Sequence, residues 1–190
     1  MWSWPSSGIL HGLRVITMNK EIVVITGPES CGKTTLARQL AGHWKAPLVN
    51  EAARDYLQRK DSYEESDLLE IAKLQNAMEL EKTVISAKKL VCDTDLLVIL
   101  IWSEVKYGRC DPWIRETLEN CFNKESLTRH YILCDPKIPW QQDRLRENPY
   151  NRDELFAVYL KKLKDYKLAY SIVRGRPQER FQQALDCFKY

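Results

Sequence analysis

Long apolar runs are missing from this sequence: the longest, Leu96 to Trp102, falls far short of the ~20 residues that a membrane-spanning helix requires. An excess of one charge is missing too. Lys and Arg number 29 against 26 Asp and Glu, a net charge of +3 with no basic block, which speaks against a nucleic-acid footprint or a polybasic membrane anchor. The six cysteines (Cys31, Cys92, Cys110, Cys121, Cys134 and Cys187) form no C-x-x-C pair and lie near no histidine cluster, so zinc-ligand spacings are absent. Free thiols in a reducing cytoplasm are the expectation. Residues 1–17 hold two tryptophans and Pro5 but lack a positive n-region, a long apolar segment and a small-residue cleavage site. They are expected to be neither signal nor anchor but an extension outside the core, with a start at Met18 equally compatible. Repeats, low-complexity tracts and linkers are not found, and 190 residues at about 150 per domain leave a single domain over 18–190.

What is present is 44% hydrophobic and 29% charged residues of mixed sign, the profile of a soluble globular chain. Ile22 to Thr26 is an unalternating β-branched run, as in a strand buried on both faces of a parallel sheet. Thr34 to Trp44 follows with Leu36, Ala37, Leu40 and Ala41 at helical spacing. Further strands are predicted at Pro47–Asn50, Lys89–Cys92, Thr128–Cys134 and Ala169–Val173. Helices are predicted at 51–57, at 63–88 with Ile71, Leu74, Met78 and Ile85 turned to the core, for about a dozen residues from Pro112, around Phe156 to Leu163, and over Pro177–Lys189. Strands alternating with helices predict an α/β fold, a three-layer sandwich around a five-stranded parallel sheet, with ligands at the carboxyl ends of the strands.

Gly27-Pro28-Glu29-Ser30-Cys31-Gly32-Lys33-Thr34 matches G-x-x-x-x-G-K-[ST] between a strand and a helix, the P-loop context that the motif demands. Gly27 and Gly32 let the backbone bring successive N–H groups against phosphate oxygens. Lys33 supplies charge to the β- and γ-phosphates, the Thr34 hydroxyl ligates Mg²⁺, and the helix aims its positive dipole end at the anion. Glu29, Ser30, Cys31 and Thr35 complete the expected ATP-binding set. Leu90-Val91-Cys92-Asp93 supplies the acidic end of a buried strand, with Asp93 placed to hold Mg²⁺ directly or through water and Asp95 as the competing choice. Cys31, at a helix N-terminus inside the loop, also admits an oxidisable thiol of lowered pKa.

P-loop proteins share these elements, so the class must come from their surroundings. A GTPase usually carries N-K-x-D, which is absent, and the chain is short for a motor ATPase with its sensor elements. Arg144, Arg146 and Arg152, near Pro149 after the fourth strand, suit a kinase-like lid that closes over transferring phosphate, with Arg144 and Arg152 chosen as catalytic; a solvated charged helix is the alternative. Glu51, Arg54 and Asp55 share one helix face at the end of the second strand. There Glu51 can act as base or bind ribose, and Arg54 can fix a polar part of the acceptor, unless the group is a surface ion cluster.

The loop, the E-x-x-R-x-Y element of Glu51, Arg54 and Tyr56, the Asp93-Thr94-Asp95 element followed by Trp102 to Gly108, and the closing Gly175 to Leu185 together resemble the NadR-type ATPase/kinase family. The likeness runs over about residues 20–188 and is to the ribosylnicotinamide kinase domain of the bacterial NAD-biosynthesis regulator. It implies transfer of the ATP γ-phosphate to the 5′-hydroxyl of nicotinamide riboside, Tyr56 and Asp95 beside Glu51 and Arg54 on the acceptor side, and Arg174-Gly175 in the adenine-contacting loop. The regulator's DNA-binding and adenylyltransferase modules are expected to be missing. Other nucleoside or nucleotide kinases, and a nucleotide-dependent switch without an acceptor, are the rival readings.

Overall fold

The computed structural model describes residues 20–58, 60–86, 88–123, 126–142 and 150–189. Five strands, β1 (Lys20–Thr26), β2 (Leu48–Val49), β3 (Lys89–Asp93), β4 (Leu127–Cys134) and β5 (Ala169–Val173), form one sheet in the order β2-β3-β1-β4-β5. Every neighbouring pair is parallel, so each connection must cross the sheet, and helices make the crossings. They are α1 (Lys33–Trp44), α2 (Ala52–Leu57), α3 (Glu65–Ile85), α4 (Leu96–Tyr107), α5 (Pro112–Phe122), α6 (Arg152–Asp165) and α7 (Pro177–Asp186).

Strand side chains alternate between faces, and the core divides accordingly. Ile22, Val24, Leu90, Tyr131 and Leu133 pack with α2 to α6, whereas Val23, Ile25, Val91, Ile132 and Val173 pack with α1 and α7. A sheet covered on both faces explains why β1 reads as a continuous apolar run. The P-loop NTPase fold expected from the sequence, with its three layers and five parallel strands, is the fold observed. Among the described residues no helix is long and apolar enough to cross a membrane, and all six cysteines are free.

The structure adds one element to the sequence reading and corrects another. Leu96 to Trp102, an apolar run with no polar face, forms most of α4, where Leu97, Leu100 and Ile101 are almost fully buried. The stripe proposed for α3 is rotated. Leu74 and Ile85 are 40% and 64% exposed, and the buried face carries Leu68, Ile71 and Ala72 together with polar Asp67, Gln75 and Glu79. Apolar residues lie on more than one side of α3, so periodicity alone did not select the face that packs. The extension at 1–17 and the lid choices Arg144 and Arg146 lie outside the described residues.

Candidate active site

Strand order creates the cleft. From β1 the chain first builds β2 and β3 on one side and then β4 and β5 on the other, so the carboxyl end of β1 lies at the switch point where ligands bind in open α/β sheets. The loop Gly27 to Thr34 starts there. Gly27, at φ 133°, is obligatory: a Cβ on it would stand 2.8 Å from the Cys134 carbonyl oxygen. Gly32, at φ 83°, caps α1 without a side-chain hydrogen bond, so beyond the Lys33 N–H, which meets Cys31, no cap competes for the N–H groups of Thr34 and Thr35. Ser30 also has positive φ, at 53°.

Lys33 folds over this loop and donates to the carbonyls of Gly27 at 3.0 Å and Pro28 at 2.8 Å. Burial pulls its ammonium down, but Cys31 and Glu51 foremost hold it above its ordinary value. Asp93, 3% exposed at the end of β3, accepts a hydrogen bond from Thr34. Burial pushes its carboxyl above the usual range, against the Thr34 bond and the Lys33 charge. Among the described residues, Asp93 Oδ1 is buried with no hydrogen-bond partner. A hydroxyl and an orphaned carboxylate oxygen are hard donors that fit Mg²⁺, which takes one or two protein ligands and completes its shell with phosphates and water. No group of three or more His, Cys, Asp and Glu suited to a metal occurs among the described residues.

The loop and its neighbours bound a cleft of about 330 Å³. Gly27, Glu29, Ser30, Cys31, Gly32, Lys33, Thr34 and Thr35 line it together with Glu51 and Arg54. The Arg54 Nε to Glu51 Oε2 separation is 3.9 Å, and both side chains are partly exposed. Val98, Ile101, Trp102 and Val105 of α4, with Leu155 and Tyr159 of α6, supply an apolar wall. This wall was not foreseen, because it depends on the unassigned α4.

Other expected site residues lie elsewhere. Asp95, 1% exposed, does not line the cleft: it caps α4 by accepting from the Leu97 N–H at 3.0 Å, meets Arg129 at 3.0 Å, and accepts from the Tyr131 hydroxyl at 2.6 Å. Burial raises its carboxyl to about 6, against the Arg129 charge. Tyr56 also stands off the cleft, its hydroxyl donating to Asp67 at 2.8 Å. Arg174 pairs with Asp135 at 3.2 Å, and neither it nor Gly175 lines the cleft; Pro177 and Arg180 do so in their place. Arg152 donates to the carbonyls of Ser30 at 3.3 Å and Ile138 at 3.1 Å, beside the loop.

Sequence reasoning missed Arg180. It is 3% exposed and donates to the carbonyls of Cys31 at 2.6 Å, Asp135 at 2.8 Å and Gly175 at 2.7 Å, tying the loop to the ends of β4 and β5. Gln75 was missed as well. Its Oε1 accepts from the Ala52 N–H at 2.8 Å, and its Nε2 faces the carbonyls of Asn50 and Thr94 at 3.4 Å, so it joins the turns that carry Glu51 and Asp93. Gln75 shows in the sequence only as a polar residue on a helix with apolar turns, and Arg180, set among Glu179, Gln182 and Gln183, is marked by no local pattern.

Residues 22–180 match the family described as AAA domain. No curated protein matches the chain. Solved structures similar to it include NadR in complex with NR, with a TM-score of 0.66, 23% identity, and coverage of 88% of this chain and 48% of that one. A thymidylate kinase from Ehrlichia chaffeensis gives 0.61 and 11%, covering 90% and 100%. A deoxyadenosine kinase from M. mycoides gives 0.59 and 13%, covering 87% and 97%. The chain thus spans about half the length of NadR. At such identities the likeness is one of fold.

Proposed function

Since this chain belongs to the AAA-domain family over residues 22–180, we propose that it is an ATP-dependent phosphotransferase acting on the hydroxyl of a small riboside, nicotinamide riboside foremost. One observation carries the reading: a phosphate-binding loop and the Glu51–Arg54 pair line the same cleft. An apolar wall with Trp102 and Tyr159 supports a planar base as part of the acceptor. The likeness to NadR in complex with NR supports the choice of acceptor.

In this reading Lys33 stabilises charge that develops on the transferring phosphoryl group, and the open N–H groups of α1 cradle the phosphates. Thr34 and Asp93 would hold Mg²⁺, which when bound neutralises phosphate charge. Glu51 accepts the proton of the attacking hydroxyl, and Arg54 fixes the acceptor. Arg152, which touches the loop at Ser30, and Arg144, outside the described residues, are the arginines proposed to act on the phosphates. For the adenine side the reading takes the turn that holds Arg174 and Gly175, next to Pro177 and Arg180 of the cleft lining. The same reading puts the enzyme's work in the cytoplasm, where ATP and reduced thiols coincide.

The test is incubation with Mg-ATP and a panel of nicotinamide riboside, nucleosides and nucleoside monophosphates, read by mass spectrometry. Conversion of nicotinamide riboside to its mononucleotide is the expected result. Conversion of another acceptor alone would keep the chemistry and replace the substrate, a second reading that the likeness to thymidylate and deoxyadenosine kinases supports. Nucleotide binding with no product from any acceptor would overturn the enzyme in favour of a nucleotide switch.

A further inference from the structure

Beneath the phosphate loop lie two thiols for which the transfer chemistry has no use. Cys31 immediately precedes Gly32, and Cys134 ends β4. They are 1% and 0% exposed and belong to the same core cluster. Both border one point of the loop: a Cβ at Gly27 would lie 3.2 Å from the Cys31 sulfur and 3.3 Å from the Cys134 backbone nitrogen, and the Cys31 sulfur lies beside the Cys134 thiol and the Lys33 N–H. Positive charge acts on that sulfur from the Lys33 ammonium and from Arg180, whose Nη1 donates to the Cys31 carbonyl at 2.6 Å. Burial alone would raise the Cys31 thiol, but these groups hold it below its ordinary value, while Cys134 beside it stands well above its own. The pair therefore combines a nucleophile with a protonated partner in contact.

We propose that Cys31 and Cys134 form a peroxide-responsive pair whose closure to a disulfide disables the phosphate loop. The Cys31 thiolate attacks one oxygen of hydrogen peroxide, the O–O bond breaks, and the departing hydroxide takes up a proton to leave as water. Cys31 is then a sulfenic acid. The Cys134 sulfur attacks the Cys31 sulfur, the S–O bond breaks, and a second water leaves with the Cys134 proton. Two thiols and one hydrogen peroxide become one disulfide and two waters. Burial restricts the oxidant to a small peroxide and excludes a bulky disulfide such as oxidised glutathione.

The consequence for the loop follows from its packing. A Cβ at Gly27 would lie 3.2 Å from the Cys31 sulfur and 2.8 Å from the Cys134 carbonyl, so the first turn of the loop has little slack against this pair. Covalent bonding draws the sulfurs well inside contact distance, takes Cys31 away from the Lys33 N–H, and shifts the backbone that cradles phosphate.

The inference rests on the loop being a nucleotide site, and the test separates the two. Reduced protein is treated with stoichiometric hydrogen peroxide, with and without an ATP analogue, then alkylated, peptide-mapped, and assayed for nucleotide affinity by calorimetry. The expected result is a Cys31–Cys134 linked peptide, slowed by the analogue, with affinity falling about tenfold or more and recovering in dithiothreitol. Cys134→Ser binds nucleotide like the parent before oxidation, forms no link, and accumulates Cys31 sulfenic acid that dimedone traps. Oxidation of other cysteines without this link, or the link with unchanged affinity, overturns the proposal. Reduced protein that binds no nucleotide overturns the reading of the loop, and the role of the pair falls with it.

Discussion

Lys33 shows how much chemistry one residue concentrates. Its ammonium spans the loop to the Gly27 and Pro28 carbonyls and sits in the fields of Cys31, Glu51 and Asp93. Lys33→Ala is expected to abolish phosphoryl transfer while circular dichroism shows the fold retained; full product formation in the mass-spectrometric assay would remove Lys33 from the mechanism. Glu51→Gln tests the base. Turnover should fall by roughly 10² to 10⁴ while the KM for ATP stays within about twofold, since the proposed mechanism has Glu51 act on the acceptor and not on the nucleotide. The loop residues were legible in the sequence because their function is written in consecutive positions. Arg180 was not, because its role exists only through carbonyls contributed by Cys31, Asp135 and Gly175, which lie far apart in the chain. Asp95 misled for a related reason: as the cap of α4 it looks like a site carboxylate until Arg129 and Tyr131 of β4 are seen to engage it.

Helix α3 is anchored at its start by a reciprocal cap in which Asp67 accepts from the Glu64 N–H at 2.9 Å. Lys60 and the Tyr56 hydroxyl bond the same carboxylate. The Lys60 bond foremost holds Asp67 down at about 2. Because the folded state depresses this pKa, the stability it contributes is complete above the ordinary value near 4 and is lost as pH falls through about 2. Urea midpoints measured from about pH 5 downward should therefore drop through this window, and Asp67→Asn should flatten that acid limb. An unchanged limb would show that the carboxylate contributes nothing through its charge. Elements with one apolar face and a clear cap, such as α5 behind Asp111 and Pro112, were predicted almost to their bounds. Helix α4 was not, because its first half packs among the sheet, α3 and α5, offers no polar face and so shows no periodicity.

At the scale of the whole molecule, two cores on opposite faces of one sheet hold the cleft open at its edge. Helix α4 supplies both a core and the apolar wall of the cleft, so its packing supports stability and site shape together. Leu100→Ala, at a position with 0% exposure, should cost about 2–5 kcal/mol in urea unfolding. Val84→Ser, at a position 79% exposed, should stay within about 0.5 kcal/mol. Equal effects would mean that α4 is not the packed element described.

By itself the sequence determined the phosphate loop, the alternation of strand and helix, and the parallel class of the sheet, because each depends on spacing within one element or one turn. Tertiary structure alone decided the strand order, the face of α3 that packs, the apolar wall from α4, the Arg180 clamp and the contact between Cys31 and Cys134. These arise where segments distant in the chain meet, and no local pattern encodes which of several compatible surfaces will be buried against which.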